Sequence, residues 1–245
     1  MWLWFHKLGS PPYFYRTAGR LIPWFAIPAV LLLVAGTVGG LAIAPSDYEQ
    51  GDGFRIIYVH VPSAYLAMFG YVAMAIAAAI GLIWRMKLAF AFAAACAPIG
   101  AAFTFLCLAT GSLWGKPMWG VWWDWDGRMT SMLVLLFLYL GVIALRGAFD
   151  DAAKGDRAAA LLAIVGVVNI PIIKFSVDWW NTLHQPATIS KLSAPSMTMD
   201  MLGWLLIMIV GYMLFFAAVV TLRLRGEVLL RERGARWIRG LDSRA

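Results

Sequence analysis

Six long apolar runs set the limits on this chain: roughly 21–44, 61–83, 91–110, 129–145, 158–177 and 201–222. Each can cross a hydrocarbon layer about 30 Å thick, the fourth at the short limit. Lipid offers no water to backbone N–H and C=O groups, so each run must satisfy them internally as a helix. No period of 20–50 residues repeats, which argues for one bundle and against a solenoid. The predicted fold class is an all-α integral membrane protein with six transmembrane helices. The composition, 62% hydrophobic and 13% charged, lies outside the range of soluble domains.

The first run follows basic residues and ends in Ala42-Ile43-Ala44, which resembles a signal-peptide cleavage site. It is longer than a signal h-region and Pro45 follows the would-be cut, so it reads as a retained span. Its Gly36 and Gly40 form a GxxxG spacing that lets helices approach closely. With the amino terminus in the cytoplasm, fifteen of the twenty Lys and Arg fall on the cytoplasmic side, seven of them from Arg223 to Arg244. That bias predicts both termini inside and outer connections at 45–60, 111–128 and 178–200. It divides the chain into a six-span domain, 1–222, and a basic cytoplasmic tail, 223–245. The tail mixes Val228, Leu229, Leu230, Trp237 and Ile238 with arginines, as an amphipathic helix on inner-leaflet lipid does; contact with a cytoplasmic partner is the sharper alternative. The net charge of +7 thus reads as orientation and lipid contact, and no nucleic-acid partner is expected.

The middle outer connection carries Trp114, Trp119, Trp122, Trp123 and Trp125 within thirteen residues. Gly115, Pro117 and Gly120 predict an irregular loop there, with room for one short turn. Five indoles must lie against something flat and apolar: a bilayer interface, another protein or a planar ligand. Two histidines share that face. His60 sits in Tyr58-Val59-His60-Val61-Pro62, and Pro62 suits a first helical turn, which predicts His60 just ahead of the second span. His184 lies in the last outer connection, after Trp179 and Trp180; His6, in the cytoplasmic segment, carries little weight.

Paired neutral imidazoles beside a wall of indoles suit a haem: the iron takes axial imidazoles, the macrocycle stacks on aromatic faces, and the propionates want cations. Arg55 and Arg128 flank these loops as candidate propionate partners, with Lys116 a further one. A zinc site fits less well, since no cysteine or evident third ligand stands near the two histidines. Simpler readings stand beside these. Outer tryptophans form interfacial belts in many membrane proteins, and Asp124 and Asp126 can cap the helix beginning near Met129. Lys174 can snorkel to the interface and pair with Asp178, with a ligand role as the alternative, and Pro171 is expected to kink the fifth span. Cys96 and Cys107, about 16 Å apart along one helix, are too distant for a disulfide and read as core residues. There is no P-loop, Cys-x-x-Cys, Gly-x-Ser-x-Gly or dinucleotide fingerprint. Two other functional classes remain: a cytochrome b-like membrane oxidoreductase, which would keep its histidines within helices, and a small-solute permease, which would want broken helices and midplane charges.

The run Trp-Gly-Lys-Pro-Met-Trp-Gly-Val-Trp-Trp-Asp-Trp-Asp from Trp114 to Asp126 resembles the WWD signature of haem-handling membrane proteins. Together with Tyr-Val-His-Val-Pro, Trp-Trp-Asn-Thr-Leu-His-Gln and the six-span layout, it makes nearly the whole chain similar to the haem exporter protein C family, the C component of bacterial cytochrome c maturation system I. Asp124 departs from the family, which usually has an uncharged residue there, and leaves open whether Asp124 or Asp126 matters. The resemblance implies a protein of the bacterial inner membrane whose functional loops are periplasmic. It implies haem b bound as cargo, with His60 and His184 as axial ligands and Trp114, Trp119, Trp122, Trp123, Trp125 and Asp126 around it. It also implies transfer to a periplasmic haem chaperone, the E component (CcmE), which attaches haem covalently through its own histidine. The remaining implied partners are an ATP-binding subunit (CcmA), a second membrane subunit (CcmB) and a single-span D component (CcmD). ATP hydrolysis would lie on a partner, so this chain is expected to be a transfer subunit and not an enzyme.

Overall fold

The computed structural model describes residues 9–180, 184 and 195–242, the last three by backbone alone. His6, Lys7, Lys191 and Arg244 lie outside the described residues. The chain is helical throughout, with no strand among the described residues beyond one isolated bridge between Asp47 and Gly51. Helix α1 is Pro11–Val38 and closes in a short π-turn, Gly39–Ile43. A 3-10 turn, Asp52–Ile56, leads into α2, Ile57–Trp84. Then come α3, Lys87–Trp119; α4, Gly127–Gly147; α5, Ala152–Gly166; α6, Asn169–Trp179; α7, Met199–Arg231; and α8, Arg236–Asp242. Six stretches are long and apolar enough to cross a membrane, with α5 and α6 together making one of them.

Small residues decide which helices touch. Ala67, Ala77 and Ala78 of α2 meet Ala93, Cys96 and Ala97 of α3 in the main core, around Tyr71, Leu135 and Tyr139. Close approach of this kind substitutes for the hydrophobic drive that lipid cannot supply between helices. The glycines of α1 act likewise: a methyl on Gly36 would press into Met208 of α7, and one on Gly40 into the ring of Tyr58.

Three expectations about helix ends are corrected. Helix α2 begins at Ile57, so His60 lies in its first turn and not ahead of it; Pro62 falls in the second turn. Helix α3 continues through Trp114 to Trp119, where a loop was expected. Gly115 and Pro117 weaken a helix by propensity, but the packing around Trp114 described below outweighs them. Pro117 sits in the last turn, so the bond it forfeits to the Leu113 carbonyl and the kink it imposes leave the rest of the helix undisturbed. Helix α7 runs unbroken across residues 222 and 223, and its Leu224 and Val228 are buried against Ala91 and Ala95 of α3. The beginning of the basic tail is therefore packed onto the bundle.

The kink near Pro171 is a full break at Val167 and Val168. Pro171 donates no N–H, and its ring crowds the carbonyl four residues earlier, that of Val167. The adjoining Asn169 is buried and donates to the Ser131 carbonyl at 2.9 Å. Neither Val167 nor Val168 lines the cleft described below.

Candidate functional site

The topology gathers the amino ends of α2, α4 and α7 and the carboxyl ends of α3 and α6 at one end of the bundle. A cleft opens there. Its walls include His60, Trp114, Trp119, Arg128, Lys174 and His184, and its apolar floor holds Met68, Leu108, Met132 and Ile173. Both candidate histidines thus line one cleft, although 124 residues separate them in sequence.

His60 projects from the first turn of α2 toward Thr110 of α3, with Nδ1 and Oγ1 3.0 Å apart. The Thr110 hydroxyl has a single proton, and it donates that proton to the Leu106 carbonyl at 2.7 Å, with the Cys107 carbonyl at 3.1 Å as a second acceptor. With its proton on the Leu106 carbonyl, the shorter of its contacts, Thr110 is assigned as the acceptor toward the histidine. In the neutral ring the proton is then on Nδ1, and Nε2 carries the lone pair. Gly111, the next residue, leaves room for this ring, since a methyl there would stand 3.1 Å from His60 Cε1.

His184 reaches the same state by another route. Its Nδ1 lies 2.8 Å from Asp126 Oδ2. A carboxylate only accepts, so Nδ1 holds the proton and Nε2 the lone pair. Asp126 is 6% exposed, and its Oδ1 accepts the Met129 N–H at 2.7 Å as the amino-terminal cap of α4. One side chain thus starts a helix and orients an imidazole. A carboxylate behind a ligating histidine is the usual way to fix tautomer and ring orientation at metal sites. Of the two acidic candidates, Asp126 holds the histidine; Asp124 lines only a smaller adjoining hollow with Trp122 and Trp123.

The five tryptophans divide. The indole N–H of Trp114 donates to Gln50 Oε1 at 2.8 Å, and its ring sits edge-on to Phe54 at 5.8 Å and to His60 at 5.7 Å. Trp119 lies 5.9 Å from it, and these two form the aromatic wall of the cleft. Gly120, in the left-handed conformation that glycine adopts without strain, then turns the chain back. Gly115 allows the return, since a methyl there would stand 2.9 Å from the Val121 carbonyl oxygen. Ser112 donates to the Trp122 carbonyl at 2.6 Å and Lys116 to that of Gly120 at 3.0 Å. These bonds hold Trp122 and Trp123 over the adjoining hollow. Trp125, three-quarters exposed, packs edge-on against Trp123 and lines neither space. Trp179 stacks on Phe175, and both it and Trp180 are exposed, as belt residues are.

The candidate cations divide as well. Arg128 lines the cleft; its Nε is buried with no hydrogen-bond partner among the described residues, and one Nη donates to the Lys174 carbonyl at 3.4 Å. A guanidinium with donors to spare at a cleft suits a carboxylate ligand. Arg55 is engaged elsewhere: Nε pairs with Asp52 at 2.9 Å, Nη1 donates to the Gly40 carbonyl at 3.0 Å, and it does not line the cleft. Lys116, tied to Gly120, does not line it either, whereas Lys174 does. Among the described residues no three His, Cys, Asp or Glu side chains gather as a metal cluster. The arrangement offers two imidazole nitrogens, an indole wall and a cation in one apolar recess.

Thr110, Gly111 and Gln50 were not singled out by sequence as site residues; Lys174 was, as an alternative to snorkelling, and it lines the cleft. Thr110 and Gly111 had a usable signal, polar and small residues at the end of an apolar run; Gln50 had none.

Known proteins resemble this chain over nearly its whole length. The sequence profile of a family described as "Heme exporter protein C" matches residues 4–239. The chain is 51% identical to "Heme exporter protein C" of Escherichia coli (strain K12) over 238 residues, 97% of this chain and 96% of that protein. It is 49% identical to the protein of that name from Haemophilus influenzae over 241 residues, 98% of each. With the one from Paracoccus denitrificans the identity is 36% over 230 residues, 94% of this chain and 95% of that one. A match that runs through the first span, the tryptophan segment and the last span alike leaves no part of the bundle unaccounted for, and the chain belongs to the heme exporter protein C family.

Proposed function

We propose that this chain binds haem b as cargo in the tryptophan-walled cleft and passes it to a periplasmic haem chaperone for c-type cytochrome biogenesis. His60 and His184 supply the axial nitrogens, Trp114 and Trp119 the stacking wall, and Arg128, with Lys174 beside it, the propionate contacts. The single observation carrying this reading is that both rings line one cleft with Nδ1 beside an oxygen, an arrangement that favours the lone pair at Nε2 in each. The cation bias of the opposite end supports a periplasmic location for the cleft in the bacterial inner membrane. The smaller hollow beside the cleft, lined by Trp122 and Trp123, supports an exposed porphyrin edge for the chaperone. ATP hydrolysis belongs to an ATP-binding partner, with a second membrane subunit and a small single-span subunit completing the assembly.

The test is the absorption spectrum of purified protein. His60→Ala and His184→Ala are each expected to lose the low-spin bis-imidazole bands shown by the unsubstituted protein. Unchanged bands in both variants would remove the axial assignment. For the propionates, Arg128→Ala is expected to weaken haem retention roughly tenfold, the lower end for an outer contact at a metal site. Arg55→Ala is expected to leave retention unchanged, because Arg55 holds Asp52 and Gly40. Equal losses from both would return Arg55 to the binding set.

One observation favours a b-type oxidoreductase: His60 lies within α2. It sits in the first turn, however, and His184 lies outside any helix, so the pair marks the end of the bundle and not its interior. Reduction of bound haem by quinol would favour that rival.

A further inference from the structure

The two imidazoles are backed by unequal partners. Behind His184 stands a buried carboxylate, itself held by a helix-cap bond at 2.7 Å. Behind His60 stand a neutral hydroxyl, at 3.0 Å, whose own proton is on a backbone carbonyl, and the backbone of Cys107, both uncharged. An anionic acceptor draws the Nδ1 proton toward itself and makes Nε2 a stronger electron donor; a neutral hydroxyl does this far less. The hydroxyl still favours one tautomer, because its oxygen accepts a hydrogen bond from Nδ1–H while its proton is held by the Leu106 carbonyl.

We propose that Thr110 is a positioning residue: it fixes His60 as the Nε2 donor and leaves it the weaker of two axial ligands, the one that opens first when haem is handed on. The inference rests on the haem-binding reading for its second half only. Thr110 and Asp126 make the site asymmetric by construction: His184 keeps hold of the iron while the position on the α2 side is vacated. No proton or electron needs to leave the protein for this exchange, since one Fe–N bond breaks and the incoming ligand forms another. The hydroxyl is buried on α3, in a different helix from the ring it steers, so its role follows from packing between α2 and α3.

The test uses the full-length membrane protein with Thr110→Val, which keeps shape and removes the acceptor, and Thr110→Ser, which restores it. In haem-free protein, histidine ring 15N shifts report the tautomer directly. The expected result is the Nδ1–H form at His60 in the unsubstituted and Ser proteins and a mixture in the Val protein. In ferric haem-loaded protein, cyanide entry is limited by departure of the weaker imidazole. Thr110→Val is expected to speed entry roughly ten- to hundredfold, with Thr110→Ser returning it to the unsubstituted rate. Thr110→Asp, which puts a carboxylate behind His60 as well, is expected to slow it. Identical ring shifts in the Thr and Val proteins would overturn the tautomer assignment. Unchanged cyanide rates in both the Val and Asp proteins would overturn the leaving-ligand assignment. A protein that never shows bis-imidazole haem would instead overturn the functional reading, leaving the ring-shift result to decide the role of Thr110.

Discussion

Asp126→Asn is expected to strip iron coordination from His184 while leaving the fold intact. The Asn oxygen can keep the cap on the Met129 N–H, where Asp126 Oδ1 now sits at 2.7 Å. That puts the amide NH2 where Oδ2 faces His184 Nδ1 at 2.8 Å. Two donors cannot share the contact, so the ring moves its proton to Nε2 and withdraws the lone pair from the cleft. Loss of a carboxylate behind a ligating histidine weakens metal binding by roughly ten- to hundredfold. Loss of the cap itself, in Asp126→Ala, adds about 1 kcal/mol of instability that the Asn protein should not show. The measurement is haem titration followed by absorbance, beside a thermal midpoint of the haem-free protein. Wild-type affinity in the Asn protein would show that the carboxylate is a helix cap and nothing more.

The second large effect is expected at the other end of the bundle, where the charges are structural. Asp156, 8% exposed, receives two bonds from Arg231 at 2.6 and 2.9 Å and a third from Arg146 at 3.2 Å. Glu227 binds the far side of Arg146 at 2.7 Å. This network joins α4, α5 and α7. Asp156→Ala leaves two arginines facing each other with only Glu227 between them. Removing one partner of a buried ion network costs about 3–5 kcal/mol, and the partly exposed Arg146 can turn toward water, so about 3 kcal/mol is expected. The loss should appear as a thermal midpoint lowered by several degrees in detergent, with the haem spectrum unchanged in protein that remains folded. Lys87→Ala, which breaks an exposed pair with Glu232 at 3.8 Å, should cost well under 1 kcal/mol. Comparable losses from the two variants would mean that the Asp156 network contributes no more than a surface pair.

The six spans were legible because each depends on a local sum, apolar residues over some twenty positions. The GxxxG face of α1 was legible for a similar reason: glycine leaves its mark in one stretch of chain. Helix ends were less so. The extension of α3 to Trp119 runs against the propensity of Gly115 and Pro117, and it exists because Trp114 is gripped by Gln50, Phe54 and His60, residues from another part of the chain. His60 was placed one turn too early because Pro62 suits a helix start, while the 3-10 turn at Asp52–Ile56 had already begun to wind the chain.

Within the site, residue types in one connection pointed to its chemistry, but not to which of them meet. Trp125 and Arg55 read as equals of Trp119 and Arg128 in sequence, and only the turn at Gly120 and the Arg55–Gly40 bond separate them in space. The sequence by itself determined that this is a six-span helical membrane protein with a tryptophan-rich segment and two histidines near the ends of its spans, since hydrophobicity and charge act through the residues that carry them. The tertiary structure alone decided which nitrogen of each imidazole bears the lone pair, because that depends on what Thr110 and Asp126 can donate or accept across 50 and 58 residues of chain.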